Sequence, residues 1–138
     1  MGTLRYGFER RLADTTFDQA VEKVTAALKN EGFSVLTEID VQATLRKKLD
    51  VDFRRYVILG ACSPNLAHRA LAAEPQVGLL LPCNVVVQEA PEGGAVVSIA
   101  DPRAMFTLVD NAAVSPVAAE AEERLRRVID AVGGKEAV

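Results

Sequence analysis

The sequence predicts an α+β domain, with a mixed or mostly antiparallel sheet and helices packed mainly on one face. Three observations carry that expectation. Short segments of period-two apolar alternation recur along the chain, the mark of half-buried strands. Between them, Ser, Thr or Asp followed by proline or by a capping-box residue starts several helical stripes. The run Ala90-Pro91-Glu92-Gly93-Gly94 joins two apolar segments as a hairpin, whose strands are antiparallel. Helices between strands also suit parallel crossovers, but the strands are too few for a doubly wound sheet.

Taken in order, residues 4–11 set Leu4, Tyr6 and Phe8 against Arg5, Glu9 and Arg11, a strand pattern. Thr16 and Gln19 make a capping box for a helix with Phe17, Ala20, Val21, Val24, Ala27 and Leu28 inward. Gly32 closes it, because glycine accepts positive φ at little steric cost. Residues 33–39 alternate again, and Asp40 caps a short helix with the stripe Val41, Leu45 and Leu49. Residues 54–61 are apolar almost throughout, as a central strand should be.

Ser63 and Pro64 start a third helix, with the serine hydroxyl accepting from a free amide and Leu66, Ala67, Ala70 and Leu71 inward. Pro75 ends it. Residues 77–81 read as the next strand, continued by 85–89 across a break at Pro82, which cannot donate to a ladder. Residues 95–100 return as the hairpin partner. Asp101 and Pro102 start a short helix with Met105, Phe106 and Val109 inward. Ser115 and Pro116 start the last helix, which runs to Gly133-Gly134 with Val117, Ala121, Leu125, Val128 and Ile129 inward. Its outer face carries Glu120–Arg124, Glu122–Arg126 and Glu123–Arg127, each four residues apart in the favourable order. The predicted order is β-α-β-α-β-α-β-β-α-α.

A chain of 138 residues fits one domain, residues 1–138. An apolar fraction of 49% with 25% charged residues argues against disorder. Aromatics are only 5%, so Ala, Val and Leu must fill the core. The formal charge of −3 argues against general nucleic-acid affinity. No apolar run approaches the roughly 20 residues that span a bilayer. The N-terminal MGTLRYGFERRL lacks a signal-peptide apolar stretch, and after Met1-Gly2 a myristoylation signal needs Ser or Thr where Tyr6 stands. The expectation is a cytoplasmic chain without membrane or nucleic-acid partners, its two cysteines reduced.

The least ordinary residues gather in 56–87, which holds both cysteines and the only histidine. Cys62 immediately precedes a helix start, where free amides and a partial positive charge favour a thiolate. It reads more readily as a small buried residue at a strand end, since cysteine is among the most buried residue types. Cys83 and Asn84 follow Pro82, where a break in the strand re-aims side chains; an ordinary bulge is the other reading. A normal crossover through helix three would make the strands carrying Cys62 and Cys83 neighbours. His68 stands beside Arg69 on the outer face of that helix and reads as a solvated surface residue. There is no CxxC, HxxxH or clear fourth ligand for a metal.

No G-x-S-x-G, Walker A or G-x-G-x-x-G motif is present, and an assembly of Cys62, His68 and Asp101 meets an awkward spacing across one helix start. Gly93-Gly94 suits a hairpin turn better than a phosphate loop. Arg46, Lys47, Lys48, Arg54 and Arg55 form a basic cluster, read as balanced by Glu38, Asp50 and Asp52 and without interleaved aromatics for stacking bases.

These segments resemble a known family. YVILGACSPNLAHRAL followed by GLLLPCNVVV, with EIDVQATLRKKLDVDFRRY upstream and a DP-plus-terminal-helix arrangement downstream, is similar to the domain-of-unknown-function family numbered 302. The resemblance covers nearly the whole chain. Ser63 stands where the family pattern often has Asn, and either residue caps a helix. The resemblance implies a small bacterial or archaeal domain with a curved sheet and packed helices, of TATA-binding-protein-like architecture. It implies no established reaction and supplies no catalytic residues; cofactor and ligand stay unknown.

The functional expectation is a small-ligand or partner-binding module. Its site lies where helix three begins and the Pro82 break passes, formed by Cys62, Ser63, Asn65, Cys83 and Asn84. The alternative is a thiol-dependent enzyme or soft-metal-binding protein using Cys62 and Cys83. A third reading is a homodimer formed through an exposed sheet face or edge. Thiols sealed in the core with no adjoining cleft would remove the first.

Overall fold

Strands β1 (Gly7–Leu12), β2 (Ser34–Asp40), β3 (Tyr56–Cys62), β4 (Cys83–Glu89), β5 (Ala95–Ala100) and β6 (Lys135–Glu136) make one sheet, antiparallel at every pairing, in the order β2-β3-β4-β5-β1-β6. Helices α1 (Phe17–Asn30), α2 (Val41–Leu49), α3 (Pro64–Ala73), α4 (Pro102–Phe106) and α5 (Ser115–Val132) complete the fold. The computed structural model describes residues 4–136; Met1 and Gly2, on which the myristoylation reading falls, lie outside them.

The core forms where one sheet face meets α1 and α5. Val57, Leu59, Ala61, Val85, Val87, Val97 and Ile99 alternate along β3, β4 and β5 and are all buried. They pack in one cluster with Val24 and Leu28 of α1 and Leu125, Val128 and Ile129 of α5. Each such side chain contributes roughly 1.5–3 kcal/mol on burial, so the period-two and period-3.6 stripes together set which faces meet.

The capping box of α1 forms as its residues dictate: Gln19 donates its backbone N–H to Thr16 Oγ1, and Thr16 N donates to Gln19 Oε1, both at 3.1 Å. At the other end, Phe33 N reaches back to Leu28 O at 2.9 Å while Gly32 holds φ at 81°. The inward residues expected for α5 are all buried, and its three i, i+4 ion pairs form. Several of its charges also tie it to neighbours. Glu120 meets Arg69 of α3, Arg127 meets Glu31 beyond α1, and Asp130 meets Arg10 of β1, each at 2.9 Å. The guanidinium of Arg126 lies 4.4 Å from the centre of the Phe8 ring.

Several local expectations need correction. Leu71, expected inward on α3, is exposed, and only Leu66 and Ala70 of that helix are buried. Residues 77–81 are not a strand: Pro75–Leu80 is a 3-10 helix, and Val77 alone of it is buried while Leu79 is exposed. A short apolar run has the same appearance in a strand and in a tight turn, and Gly78 between two prolines decides for the turn. The register shift of the sheet falls in β2, between Val35 and Thr37, rather than at Pro82; the Leu81–Pro82 peptide is cis. The stripe Val41, Leu45 and Leu49 is not core, because α2 buries none of its residues. Finally, β1 begins at Gly7, so Tyr6 lies outside the strand and is exposed, and its carbonyl accepts from Asp101 N at 2.9 Å.

α2 and α3 each link two strands that are antiparallel neighbours, so neither makes a parallel crossover. That connection fixes the site. The chain leaves β3 at Cys62, passes through α3 and the 3-10 helix, and re-enters beside it at Cys83.

Candidate functional site

Cys83 lies directly opposite Ala61 in the β3–β4 register, and Asn84 lies opposite Gly60. The pairing therefore brings Cys62, the residue after Ala61, next to Cys83. Both thiols are free and half-buried, and both line one cavity of about 30 Å³. Its wall is carbon for the most part. Leu66, Ala67 and Ala70 come from α3, Val117 and Ala121 from α5, and Phe106 from α4, with Pro82 and Leu81 at the strand break.

A second cavity of about 110 Å³ adjoins the first and shares Leu81, Pro82, Cys83, Pro102 and Phe106 with it. Its remaining wall includes Leu79, Met105 and Asn84. Pro82 is held against the sheet because its neighbour has no side chain: a Cβ at Gly60 would fall 2.8 Å from Pro82 Cγ and would also strike Thr37 Oγ1. The α4 start closes the other side. Asp101 Oδ1 accepts from Arg103 N at 3.0 Å, and Pro102 is buried.

The helix start does not activate Cys62. Burial pushes its thiol up, and it pushes Cys83 further, to about 11, with the charge of Cys62 adding to the shift. Desolvation, which disfavours a thiolate, is the largest cause at both residues, so the lowering expected from the helix start does not appear. Ser63 is buried and lines the inner cavity, but its side chain makes no cap hydrogen bond. Pro64 at the first helical position and the bond from Ala67 N to Ser63 O, 2.9 Å, start α3 without it.

Of the five residues singled out from sequence, Cys62, Ser63, Cys83 and Asn84 line the two cavities, and Asn65, exposed in the first turn of α3, lines neither. His68 is exposed and away from both cavities, and Asp101 is engaged as the α4 cap. The basic cluster is divided. Arg46 pairs with Asp50 and Asp52, Arg55 pairs with Asp18, and Arg54 stacks on Phe53, its neighbour in the chain. Sequence reasoning missed the walls from Phe33, Val117 and Ala121, since an inward helix residue gives no sign of facing a void instead of another side chain.

These features define a class: a small α+β domain on one antiparallel sheet, with an apolar cleft bordered by two neutral thiols. The chain belongs to the DUF302 family, a domain of unknown function, whose model matches residues 8–132. It is similar to an uncharacterised conserved DUF302 protein from Bacillus stearothermophilus, known from a crystal structure. The two are 28% identical with a TM-score of 0.84, over 94% of this chain and 99% of that one. No curated protein matches the chain. No reaction is assignable from these relatives. Thiol-dependent chemistry or soft-metal binding by Cys62 and Cys83 is not favoured: the family and its solved relative carry no assigned reaction, and burial disfavours the thiolate at both residues. No helix of the described residues is long and apolar enough to cross a membrane.

Proposed function

We propose that the protein is a non-catalytic binding module whose site is the cleft between β3, β4, α3 and α4. Cys62, Ser63, Cys83 and Asn84 contribute to it, and Asn65 stands beside it. The observation that carries the reading is that the two structural interruptions of the chain, the α3 start and the Pro82 break, open onto one cavity instead of being packed shut. Concave, mostly apolar sites with a few polar groups are the usual form of small-ligand pockets. The setting in this reading is the cytoplasm of a bacterium or archaeon, where the thiols stay reduced.

The test is a fragment titration of the full chain followed by amide NMR. Shifts should cluster at residues 61–66 and 81–84. Shifts confined to other parts of the surface would sink the proposal.

A second reading, a homodimer, draws on a different observation. β2 is an edge strand, and with α2 beside it leaves Leu36, Ile39 and Leu49 exposed. Exposed edges with apolar residues pair readily with another strand. Sedimentation at several concentrations tests this; a strict monomer removes it.

A further inference from the structure

Charged residues make up 25% of the chain, yet none lines either of the two adjoining cavities. The contrast with the cleft between α1 and β2 is plain: there Asp18, Glu22, Glu38, Asp40 and Arg55 all face one space. The inner cavity near Cys62 is apolar and narrow. At about 30 Å³ it has room for about two water-sized groups, since one such group needs on the order of 10–15 Å³. The outer cavity, about 110 Å³, is wider, with mixed walls that include the side-chain amide of Asn84. Asn84 is exposed, so its amide reaches both solvent and the outer cavity, while the inner cavity presents almost only carbon.

From this we infer that the cleft takes a small, uncharged amphiphile: a short aliphatic end in the inner cavity and a neutral hydrogen-bonding group, an alcohol or amide, in the outer one. The inference rests on the binding reading above and narrows it to a ligand class. The physical reasons are size and desolvation. A long acyl chain finds no room past Ala67, Ala70 and Ala121. A carboxylate or ammonium would lose its hydration beside walls that offer no counter-charge, whereas an alcohol or amide can exchange hydrogen bonds with Asn84. The thiols reflect the same environment, since burial there disfavours the thiolate at both.

The experiment uses the 138-residue chain at neutral pH, titrated with butyramide, butyrate and butylammonium and followed through the amide resonances of residues 61–63, 65, 66, 81, 83 and 84. Butyramide should bind saturably, and the two ions at least tenfold more weakly. Ala67→Leu, which fills the inner cavity from α3, should weaken butyramide tenfold or more. Asn84→Asp, at an exposed position that leaves the core untouched, should reverse the order of butyramide and butylammonium. Butyrate or butylammonium binding the unmodified protein as tightly as butyramide overturns the ligand class while leaving the cleft as a binding site. If none of the three probes shifts either set of resonances, the ligand class and the binding reading fall together.

Discussion

Pro82 packs against Gly60 so closely that a Cβ at position 60 would come within 2.8 Å of the proline ring. Thr37, from the irregular part of β2, closes on the same point. The contact joins β2, β3 and the residue that leads into β4, at the wall shared by both cavities. Gly60→Ala is therefore expected to destabilise the fold by about 1–3 kcal/mol, the usual range for overpacking. Urea denaturation measures it. Adding Thr37→Ala should recover part of the loss, because one of the two obstructing side chains is then gone; strictly additive effects would contradict the contact.

Helix starts offer a paired comparison. Thr16→Ala should cost about 1 kcal/mol, since its hydroxyl accepts from Gln19 N. Ser63→Ala should cost less than about 0.5 kcal/mol as a lost cap, because that serine makes no such bond. Chemical denaturation of both variants decides; equal losses would mean that Ser63 caps α3 after all.

The thiols give a pH dependence with a definite sign. The Cys83 pKa rises on folding to about 11, so below the unfolded value, about 8.5, both states are protonated and the full contribution is present. Above that, the unfolded chain ionises first, and stability falls as pH climbs toward 11, by roughly 3 kcal/mol at most from this group. Cys83→Ala should flatten the slope between about pH 8.5 and 10.5 in parallel denaturation series. A slope unchanged by that substitution would show that other groups cause it.

Core and surface leucines should separate cleanly. Leu125, fully buried between α5 and the sheet, should lose about 2–5 kcal/mol on change to alanine. Leu79, 84% exposed on the 3-10 helix, should stay within about 0.5 kcal/mol of the unmodified protein. Thermal or urea unfolding of both variants tests the assignment; a large loss at Leu79 would mean that something covers it.

Much of the fold was readable from residue pattern because the relevant physics is local. The Thr16–Gln19 box, the Gly32 stop and the inward stripe of α5 each depend on residues within a few positions, and each is present. The misreadings share a cause in contacts made across the sequence. Residues 77–81 lack a partner strand, so their apolar character buries only Val77. The stripe of α2 is only partly covered, since the helix lies beside β2 and β3 at the edge of the sheet. At the cleft, the proximity of Cys62 and Cys83 follows from the β3–β4 pairing, but the raised thiols follow from Phe106, Val117 and their neighbours, which only the folded chain brings there. Local amides argued for a thiolate, and distant carbon argued against it more strongly.

The strand order also sets a timetable. β2 to β5 are consecutive in the sheet, so each can pair with its predecessor as the chain is made, whereas β1, synthesised first, has no partner until residues 95–100 exist. Long-range pairings of this kind form late, because the loop must close before the contact stabilises anything. Until then Phe8 and Leu12 are held in solution by the charges between and beside them, Glu9, Arg10 and Arg11, which guard an unpaired apolar strand against mispairing. In pulsed hydrogen exchange during refolding, the amides of 85–99 should gain protection before those of 7–12, and simultaneous protection would refute the order. The strands that border the cleft belong to the part of the sheet finished first, and its α4 and α5 walls close over them only afterwards.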